Sequence, residues 1–274
     1  MLTIAAVLAE AQSIIGRLEA RALLRHVLHC DEARLIAHGD DDLAAPHAAA
    51  YGALVARRAA GEPVAYLTGS REFYGRAFVV TPAVLIPRPE TELLVELALQ
   101  RLPENGGCVL DLGAGSGCIG VTIAAERPQV RVTLVDASTD ALDVARENAH
   151  RFAATNTTVL CSDWYAALGD ARYDLIVANP PYVAAGDVHL TRGDLRFEPH
   201  SALVAGVDGL ADIRRIVAGA PEHLVPGGWL MCEHGHDQAD ACAALLRQAG
   251  FSEVFAARDL AGIRRVSGGR APTR

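Results

Sequence analysis

The run Asn179-Pro180-Pro181-Tyr182 is where residue type and order point most directly to chemistry. It follows Asp174-Leu175-Ile176-Val177-Ala178, which reads as an apolar strand. Two consecutive prolines cannot continue a strand, so they hold the following loop in an extended shape. A planar NH2 nitrogen is a poor nucleophile because its lone pair is delocalised. If the side-chain oxygen of Asn179 and the carbonyl of Pro180 each accept one of its hydrogens, that nitrogen is held in line with an electrophilic methyl group. Tyr182 is then expected to stack on the flat substrate group. Methyl transfer of this kind needs no metal, no covalent intermediate and no strong base. Positioning and polar contacts to a nitrogen becoming positive carry it, and the surplus proton leaves afterwards.

A second chemical feature is Asp111-Leu112-Gly113-Ala114-Gly115-Ser116-Gly117, placed after the apolar segment Cys108 to Leu112. Glycines let the backbone approach a ligand closely and turn into the next helix, whose free amides attract an anionic group. Gly115-Ser116-Gly117-Cys118-Ile119-Gly120 also satisfies the dinucleotide pattern G-x-G-x-x-G, with Asp136 at the distance expected for a ribose contact. The loop alone leaves a nicotinamide cofactor and S-adenosylmethionine both open. Asp111 would repel a pyrophosphate but suits a ligand carrying an ammonium and a sulfonium. Asp136, at the end of the next strand, offers a carboxylate to both ribose hydroxyls, while Ser138 is better placed to cap the helix that follows. Both observations favour the methyl donor.

Composition narrows the field. The chain has 274 residues and a net charge of −8, without the basic field expected of a protein that tracks duplex DNA. It contains no lysine, so a Walker-type phosphate loop and any Schiff-base mechanism are excluded. Cys30, Cys108, Cys118, Cys161, Cys232 and Cys242 form no C-x-x-C pair, as expected for reduced, buried thiols of a cytosolic protein. No signal peptide or spanning helix is visible; a soluble, cytoplasmic monomer is the expectation.

These residues need elements to position them. Up to about Gly61 the pattern is helical only, with Leu18, Ala22, Leu23, Val27 and Leu28 at helical spacing and Leu54 and Val55 closing a second stretch. Gly61 and Pro63 stop the last helix. A short hairpin over 72–80 turns at Gly75. From Pro87 onward strands alternate with helices. Strands are expected at 108–112, 130–135, 157–161, 173–178, 229–232, 253–256 and 263–266, and helices at 119–126, 139–151, 209–218 and 238–248. This is an α/β pattern implying a doubly wound, mostly parallel sheet preceded by a small all-helical domain. The expected boundaries are a helical domain at 1–62, a hairpin linker at 63–86 and the sheet domain at 87–274. Ligands of such sheets sit beyond the carboxyl ends of the strands.

With these blocks in view, the sequence resembles the class I S-adenosylmethionine-dependent methyltransferases. More narrowly it looks like the glutamine-N5 methyltransferases of peptide chain release factors, the HemK/PrmC family. The resemblance rests on Asn179 to Tyr182 and on Tyr66-Leu67-Thr68-Gly69 with Glu72-Phe73-Tyr74-Gly75. It rests further on Leu85-Ile86-Pro87-Arg88-Pro89-Glu90-Thr91-Glu92, Ser162-Asp163-Trp164, Arg196-Phe197-Glu198-Pro199, Ala202-Leu203, Glu233-His234-Gly235 and Arg265-Val266. The block Ile86 to Glu92 is the most specific to the family. The resemblance implies a seven-stranded Rossmann-like methyltransferase sheet and S-adenosyl-L-methionine as cofactor. It assigns Gly113, Ala114, Gly115, Ser116 and Gly117 to the methionine part of the donor, Asp136 to its ribose and Trp164 to its adenine. Asn179, Pro180, Pro181 and Tyr182 would hold the substrate, with Asn179, Pro180 and Tyr182 catalytic and Asn179 also against the donor. The implied substrate is the glutamine of the Gly-Gly-Gln motif of release factors, with the helical domain helping to dock that partner.

The nearest alternative is an adenine-N6 methyltransferase acting on DNA or RNA, which the same loop geometry would suit after base flipping. The acidic charge and the block Ile86 to Glu92 speak against it, and neither a membrane nor a nucleic-acid partner is expected. Cys232-Glu233-His234-Gly235-His236 and the pair His26 and Cys30 are read as packing, not as metal ligands. Arg258, Arg264, Arg265, Arg270 and Arg274 form a basic C-terminal end, expected to be a solvated tail.

Overall fold

The computed structural model describes residues 2–273. The chain divides into two compact units: residues up to Ser70 together with 191–197, and residues 71–190 together with 198 onward.

The first unit is helical: α1 (Ile4–Ile15), α2 (Arg17–Leu28), α3 (Glu32–Ala37), α4 (Ala45–Ala59) and α5 (Val64–Thr68). Thr3 caps α1 by accepting from the Ala6 N–H at 3.2 Å, and Asp31 caps α3 by accepting from that of Arg34 at 2.8 Å. The apolar stripe Ile4, Val7, Leu8 and Ala11 packs with Ala20, Leu23 and Leu24 of α2 into a core of their own. Leu18 departs from the stripe expected of it; it is 84% exposed, because the buried face of α2 runs through Ala20 and Leu23–Leu24 instead. Where the sequence suggests a linker from residue 63, α5 adds Leu67 to this core. The segment 191–197 joins the unit through Arg58 Nη1 on Asp194 Oδ1 at 2.9 Å and Arg196 Nη2 on the Ala60 carbonyl at 2.6 Å.

The second unit opens with the expected hairpin, β1 (Ser70–Phe73) and β2 (Arg76–Val79), turning through Tyr74 and Gly75 with φ of 52° and 71°. There follow α6 (Glu92–Arg101), β3 (Gly107–Leu112), α7 (Cys118–Glu126), β4 (Val130–Asp136), α8 (Thr139–Arg151), β5 (Thr157–Cys161) and β6 (Tyr173–Ala178). The chain closes with α9 (Ala211–His223), β7 (Leu224–Glu233), α10 (Ala239–Gln248), β8 (Ser252–Arg258) and β9 (Arg264–Arg270). Of these α6 has no counterpart in the sequence reading; it buries Leu94, Val95 and Ala98.

Seven strands form one sheet in the order β5-β4-β3-β6-β7-β9-β8, parallel except where β9 pairs with β7 and β8. The chain winds outward from β3 through β4 to β5, then returns to lay β6 against the other side of β3. That reversal is the topological switch point, where crossovers depart to opposite sides and leave a crevice at the carboxyl ends. The glycine loop after β3 and the Asn179 loop after β6 therefore emerge side by side. Alternate residues of β3 face opposite layers: Val109 belongs to the core that includes α6 and α7, Leu110 and Leu112 to the core under α9 and α10. Asp111 thus points into a face where a hydrophobic residue would be the ordinary choice.

Two sequence expectations are corrected here. Arg258, Arg264, Arg265 and Arg270 are not a free tail; they lie on β8 and β9, three of them paired with acids: Arg264 with Asp240, Arg265 with Asp259 and Arg270 with Glu253. Arg274 lies outside the described residues. Cys118, Cys232 and Cys242 are buried, but Cys161 at the end of edge strand β5 is exposed. Among the described residues no helix is long and apolar enough to cross a membrane.

One buried side chain ties the hairpin to the glycine loop. Asn148 of α8, fully buried, accepts from the Val79 N–H at 2.8 Å and donates to the carbonyls of Val79 and Ser116 at 3.0 and 2.9 Å. Asn148→Ala strips three backbone groups of their partner, which should destabilise the second unit by about 2–3 kcal/mol. Urea denaturation followed by tryptophan fluorescence measures it; an unchanged midpoint would show that the staple contributes nothing.

Candidate active site

A cavity of about 570 Å³ opens at the switch point and is lined wholly by residues of the second unit. That volume lies within the range of small-molecule and cofactor sites. Its floor is the glycine loop, from which Gly113, Ala114, Gly115 and Ser116 reach the surface of the cavity. Gly117 lies just beyond, as the left-handed residue (φ 78°) that caps α7. Gly120, one turn into α7, has to be glycine for another reason: a Cβ there would stand 2.2 Å from Leu134 Cδ2 and 2.8 Å from Asp111 Oδ2. The helix consequently packs close enough for the Gly120 N–H to donate to Asp111 Oδ2 at 2.9 Å.

Asp111 is completely buried beneath the loop and is not part of the cavity lining, so direct contact with a cationic ligand, as the sequence suggests, is not its place. Its Oδ1 has no hydrogen-bond partner in the protein. Burial pushes its carboxyl up to about 7, against the opposing effect of the Gly120 N–H, with the nearby Asp136 adding to the rise.

Asp136, by contrast, lines the cavity. Its Oδ2 accepts from the Gly115 N–H and its Oδ1 from that of Ser138, both at 2.9 Å, so the carboxylate is fixed at the end of β4 by the loop it serves. Ser138 does cap α8, accepting from the Ala141 N–H at 3.2 Å. Trp164 is the opposite wall. Its φ of 50° is strained for a non-glycine residue, of order 1 kcal/mol or more. Ser162 Oγ holds that conformation by donating to the Trp164 carbonyl at 3.0 Å and accepting from the Ala167 N–H at 2.9 Å. The indole lies over the glycine loop, such that a Cβ on Gly113 would sit 3.4 Å from its Cζ3, and its N–H bonds Asp212 of α9.

The loop after β6 brings Asn179 and Pro181 to the cavity. Asn179 Nδ2 donates to Thr91 Oγ1 at 3.2 Å, whereas Asn179 Oδ1 is buried without a partner in the protein. Pro180 is buried behind them. Tyr182 is not among the lining residues; its ring packs against the core under α9 and its hydroxyl donates to Glu233 Oε1 at 3.3 Å. The Glu233 contact at the end of β7 anchors the Tyr182 ring by its hydroxyl. The roof comes from residues 82–88 and 199–202. Buried Glu198 joins them, its Oε2 accepting from the Ile86 N–H at 2.9 Å and its Oε1 pairing with Arg88.

Among the described residues no cluster of acids, histidines and cysteines is arranged to hold a metal. His234 is buried between the Gly235 carbonyl (2.8 Å) and Ser267 Oγ (2.9 Å), and burial lowers its pKa. Sequence reasoning left Thr91, Glu233, Glu198 and Asn148 without a role, although the first three stand inside blocks that carry the family resemblance.

This geometry meets its counterparts in known proteins. Residues 3–69 match the PrmC N-terminal domain and residues 89–194 the methyltransferase small domain. A release factor glutamine methyltransferase of Bordetella pertussis is 56% identical over 257 residues, 93% of this chain and 95% of that protein. That of Escherichia coli K12 is 44% identical over 254 residues, covering 93% and 92%. The chain belongs to the release factor glutamine methyltransferase family. Solved structures share the fold: a methyltransferase from Pyrococcus furiosus superposes with a TM-score of 0.56 at 18% identity, covering 79% of this chain and 97% of that one. A T. thermophilus 16S rRNA methyltransferase, in complex with AdoMet and guanosine, gives 0.55 at 23% identity, covering 74% and 49%.

As a member of this family the protein uses S-adenosylmethionine, and the residues present fit it. A glycine floor, an acid fixed at the end of β4 and an indole wall suit a nucleoside joined to an amino acid. The orphaned Asn179 oxygen marks where a hydrogen-bond donor is still wanted.

A test of the buried acid follows from linkage. The Asp111 pKa is raised from 3.8 to about 7 in the fold, so its contribution to stability is full below about pH 4 and is lost as pH rises through 7. Asp111→Asn does not titrate. Relative to wild type, the variant should gain about 2–3 kcal/mol between pH 5 and pH 8 in urea denaturation without ligand. A difference that does not vary with pH would place the Asp111 pKa elsewhere.

Proposed function

We propose that this enzyme methylates the side-chain amide nitrogen, N5, of the glutamine in the Gly-Gly-Gln motif of peptide chain release factors. The observation that carries the reading is Asn179 Oδ1, a buried acceptor without a donor at the wall of the cavity. A primary amide brings two N–H donors and a nitrogen whose lone pair is delocalised. Asn179 Oδ1 takes one hydrogen and the Pro180 carbonyl the other, which aims the nitrogen across the cavity. Bound S-adenosylmethionine supplies an electrophilic methyl group on a sulfonium. Asp136 binds the ribose of the donor, Trp164 covers its adenine and the loop Gly113 to Gly117 wraps its methionine part. As the nitrogen acquires positive charge its N–H bonds strengthen, so the two acceptors stabilise the transition state more than the ground state. No residue is required as a strong base, because the methylated nitrogen is acidic enough to release its proton to water.

The helical unit, whose sequence matches the family's N-terminal domain over residues 3–69, serves in this reading to dock the release factor. In this reading the enzyme acts in the cytoplasm as a monomer.

The decisive assay incubates recombinant release factor with the enzyme and S-adenosylmethionine, with DNA and RNA as parallel acceptors, and reads peptide mass. A gain of one methylene on the Gly-Gly-Gln peptide is expected; its absence, or label on nucleic acid instead, would overturn the assignment. Asn179→Ala should lower kcat by about 10²- to 10³-fold, in the range of other preorganised polar contacts. Its donor affinity should stay within a few fold. Asp136→Ala should instead weaken donor binding by about 10-fold or more, read by calorimetry; unchanged affinity would remove Asp136 from the ribose site.

A further inference from the structure

The turn between β7 and α10 contains the run Glu233-His234-Gly235-His236, which reads in the sequence as packing. It contributes nothing to the cavity lining, yet it grips the end of the reactive loop. Gln238, at the N-terminus of α10, donates from Nε2 to the Tyr182 carbonyl at 3.0 Å and, more weakly, to that of Asp208 at 3.4 Å. Its Oε1 accepts from the Gly235 N–H at 2.8 Å. Gly235 is held in turn by His234, whose buried ring donates from Nδ1 to the Gly235 carbonyl at 2.8 Å and meets Ser267 Oγ with Nε2 at 2.9 Å. The Tyr182 hydroxyl reaches Glu233 Oε1 at 3.3 Å. Tyr182 is thus held at its carbonyl and at its hydroxyl by residues of one short segment. Gly209 leaves room for the first of these contacts: its φ is 70°, and a Cβ there would stand 2.3 Å from the Tyr182 carbonyl oxygen and 2.7 Å from Gln238 Nε2.

The Gln238 amide has no choice of orientation. A backbone N–H only donates and a backbone carbonyl only accepts, so Oε1 belongs to Gly235 and the NH2 to Tyr182. The stiffness of the loop gives this contact leverage. Both prolines have a fixed φ, and a residue before a proline is confined to extended backbone, which covers Asn179 and Pro180. The soft torsions between Asn179 and Tyr182 are then those of the Pro181–Tyr182 link, and there Gln238 takes hold. The other end of the loop is fixed by β6, whose Ala178 pairs in register with Leu112 and Cys232.

We propose, resting on the glutamine-methylating reading above, that Gln238 is a positioning residue for methyl transfer. Its hold on the Tyr182 carbonyl sets the aim of Asn179 Oδ1 and of the Pro180 carbonyl, the two acceptors of the substrate amide. Gln238 stands outside the cavity and acts through the loop alone. Donor binding is left to Asp136, Trp164 and the glycine loop, none of which it touches. Reaction rate is steeply sensitive to such aim, a misplacement of about 1 Å costing on the order of 100-fold.

Two variants separate aim from packing. Gln238→Met keeps the reach of the side chain and removes both hydrogen bonds. Gln238→Glu keeps an acceptor for the Gly235 N–H but turns a second acceptor toward the Tyr182 carbonyl. Under single turnover, with whichever acceptor the wild type methylates, Gln238→Met should slow methyl transfer by about 10-fold, the size of one oriented polar contact. Gln238→Glu should be slower again by about 3-fold or more, because acceptor then faces acceptor. Calorimetry should find donor affinity within about 2-fold of wild type in both variants, with the same number of donor sites per chain. An undiminished rate in Gln238→Met would overturn the proposal, as would Gln238→Glu matching or exceeding it. Donor sites lost in step with rate would also overturn it, since that reports damaged folding instead of a misaimed loop. A wild type without activity on glutamine fails the functional reading itself and is recognised before any variant is compared.

Discussion

A carbonyl oxygen enclosed by protein and given no donor costs about 1–3 kcal/mol, because the hydrogen bond it made with water in the unfolded chain has not been replaced. The fold carries that cost at Asn179 Oδ1. Everything around the oxygen keeps the cost from being relieved internally. The Asn179 NH2 is committed to Thr91, and two prolines fix the loop that carries it. The vacancy in hydrogen bonding is matched by a substrate that has N–H groups to give. The same constraint favours a primary amide over a substrate offering only acceptors, which would leave the oxygen unpaired and add its own desolvation.

The sheet explains why that oxygen faces a donor site. The reversal of strand order between β3 and β6 sets two loops of different chemistry a strand spacing apart, one built of glycines and one of prolines. The glycine loop yields to close approach of a ligand; the proline loop resists. Asp136, arriving from β4, locks the first of these through Gly115. Buried carboxylates recur behind the site at Asp111 and Glu233, each pushed up to about 7 by burial. Asp111 accepts from the Gly120 N–H of α7 and Glu233 from the Tyr182 hydroxyl, so each fixes an element that carries part of the site.

Much of this was legible in residue order. Alternation of apolar runs with helical spacing locates every strand of the sheet, and the boundaries of β5, β6 and α8 follow from abrupt changes of pattern at Thr157, Tyr173 and Thr139. Local chemistry likewise marks Asp136, the glycine loop and Asn179, because each announces itself within a few residues. What could not be read was anything that depends on remote partners. The anchor of the Tyr182 hydroxyl, Glu233, lies 51 residues later. Asp111 looks available to a ligand until α7 closes over it at Gly120. Leu18 shares the spacing of its neighbours yet faces out, since a 3.6-residue period does not say which of two adjacent stripes will find a partner. The arginines of the C-terminal end read as a tail because their acids, Asp240, Glu253 and Asp259, are brought to them only by the packing of α10, by sheet pairing and by a turn.

The central claim is geometric, and a crystal structure with S-adenosylhomocysteine and a Gly-Gly-Gln peptide tests it most directly. The account requires the glutamine side-chain nitrogen within hydrogen-bonding distance of both Asn179 Oδ1 and the Pro180 carbonyl, with its lone pair aimed toward the sulfur. A glutamine nitrogen turned to any other group, with the Asn179 oxygen still unpaired, would contradict it.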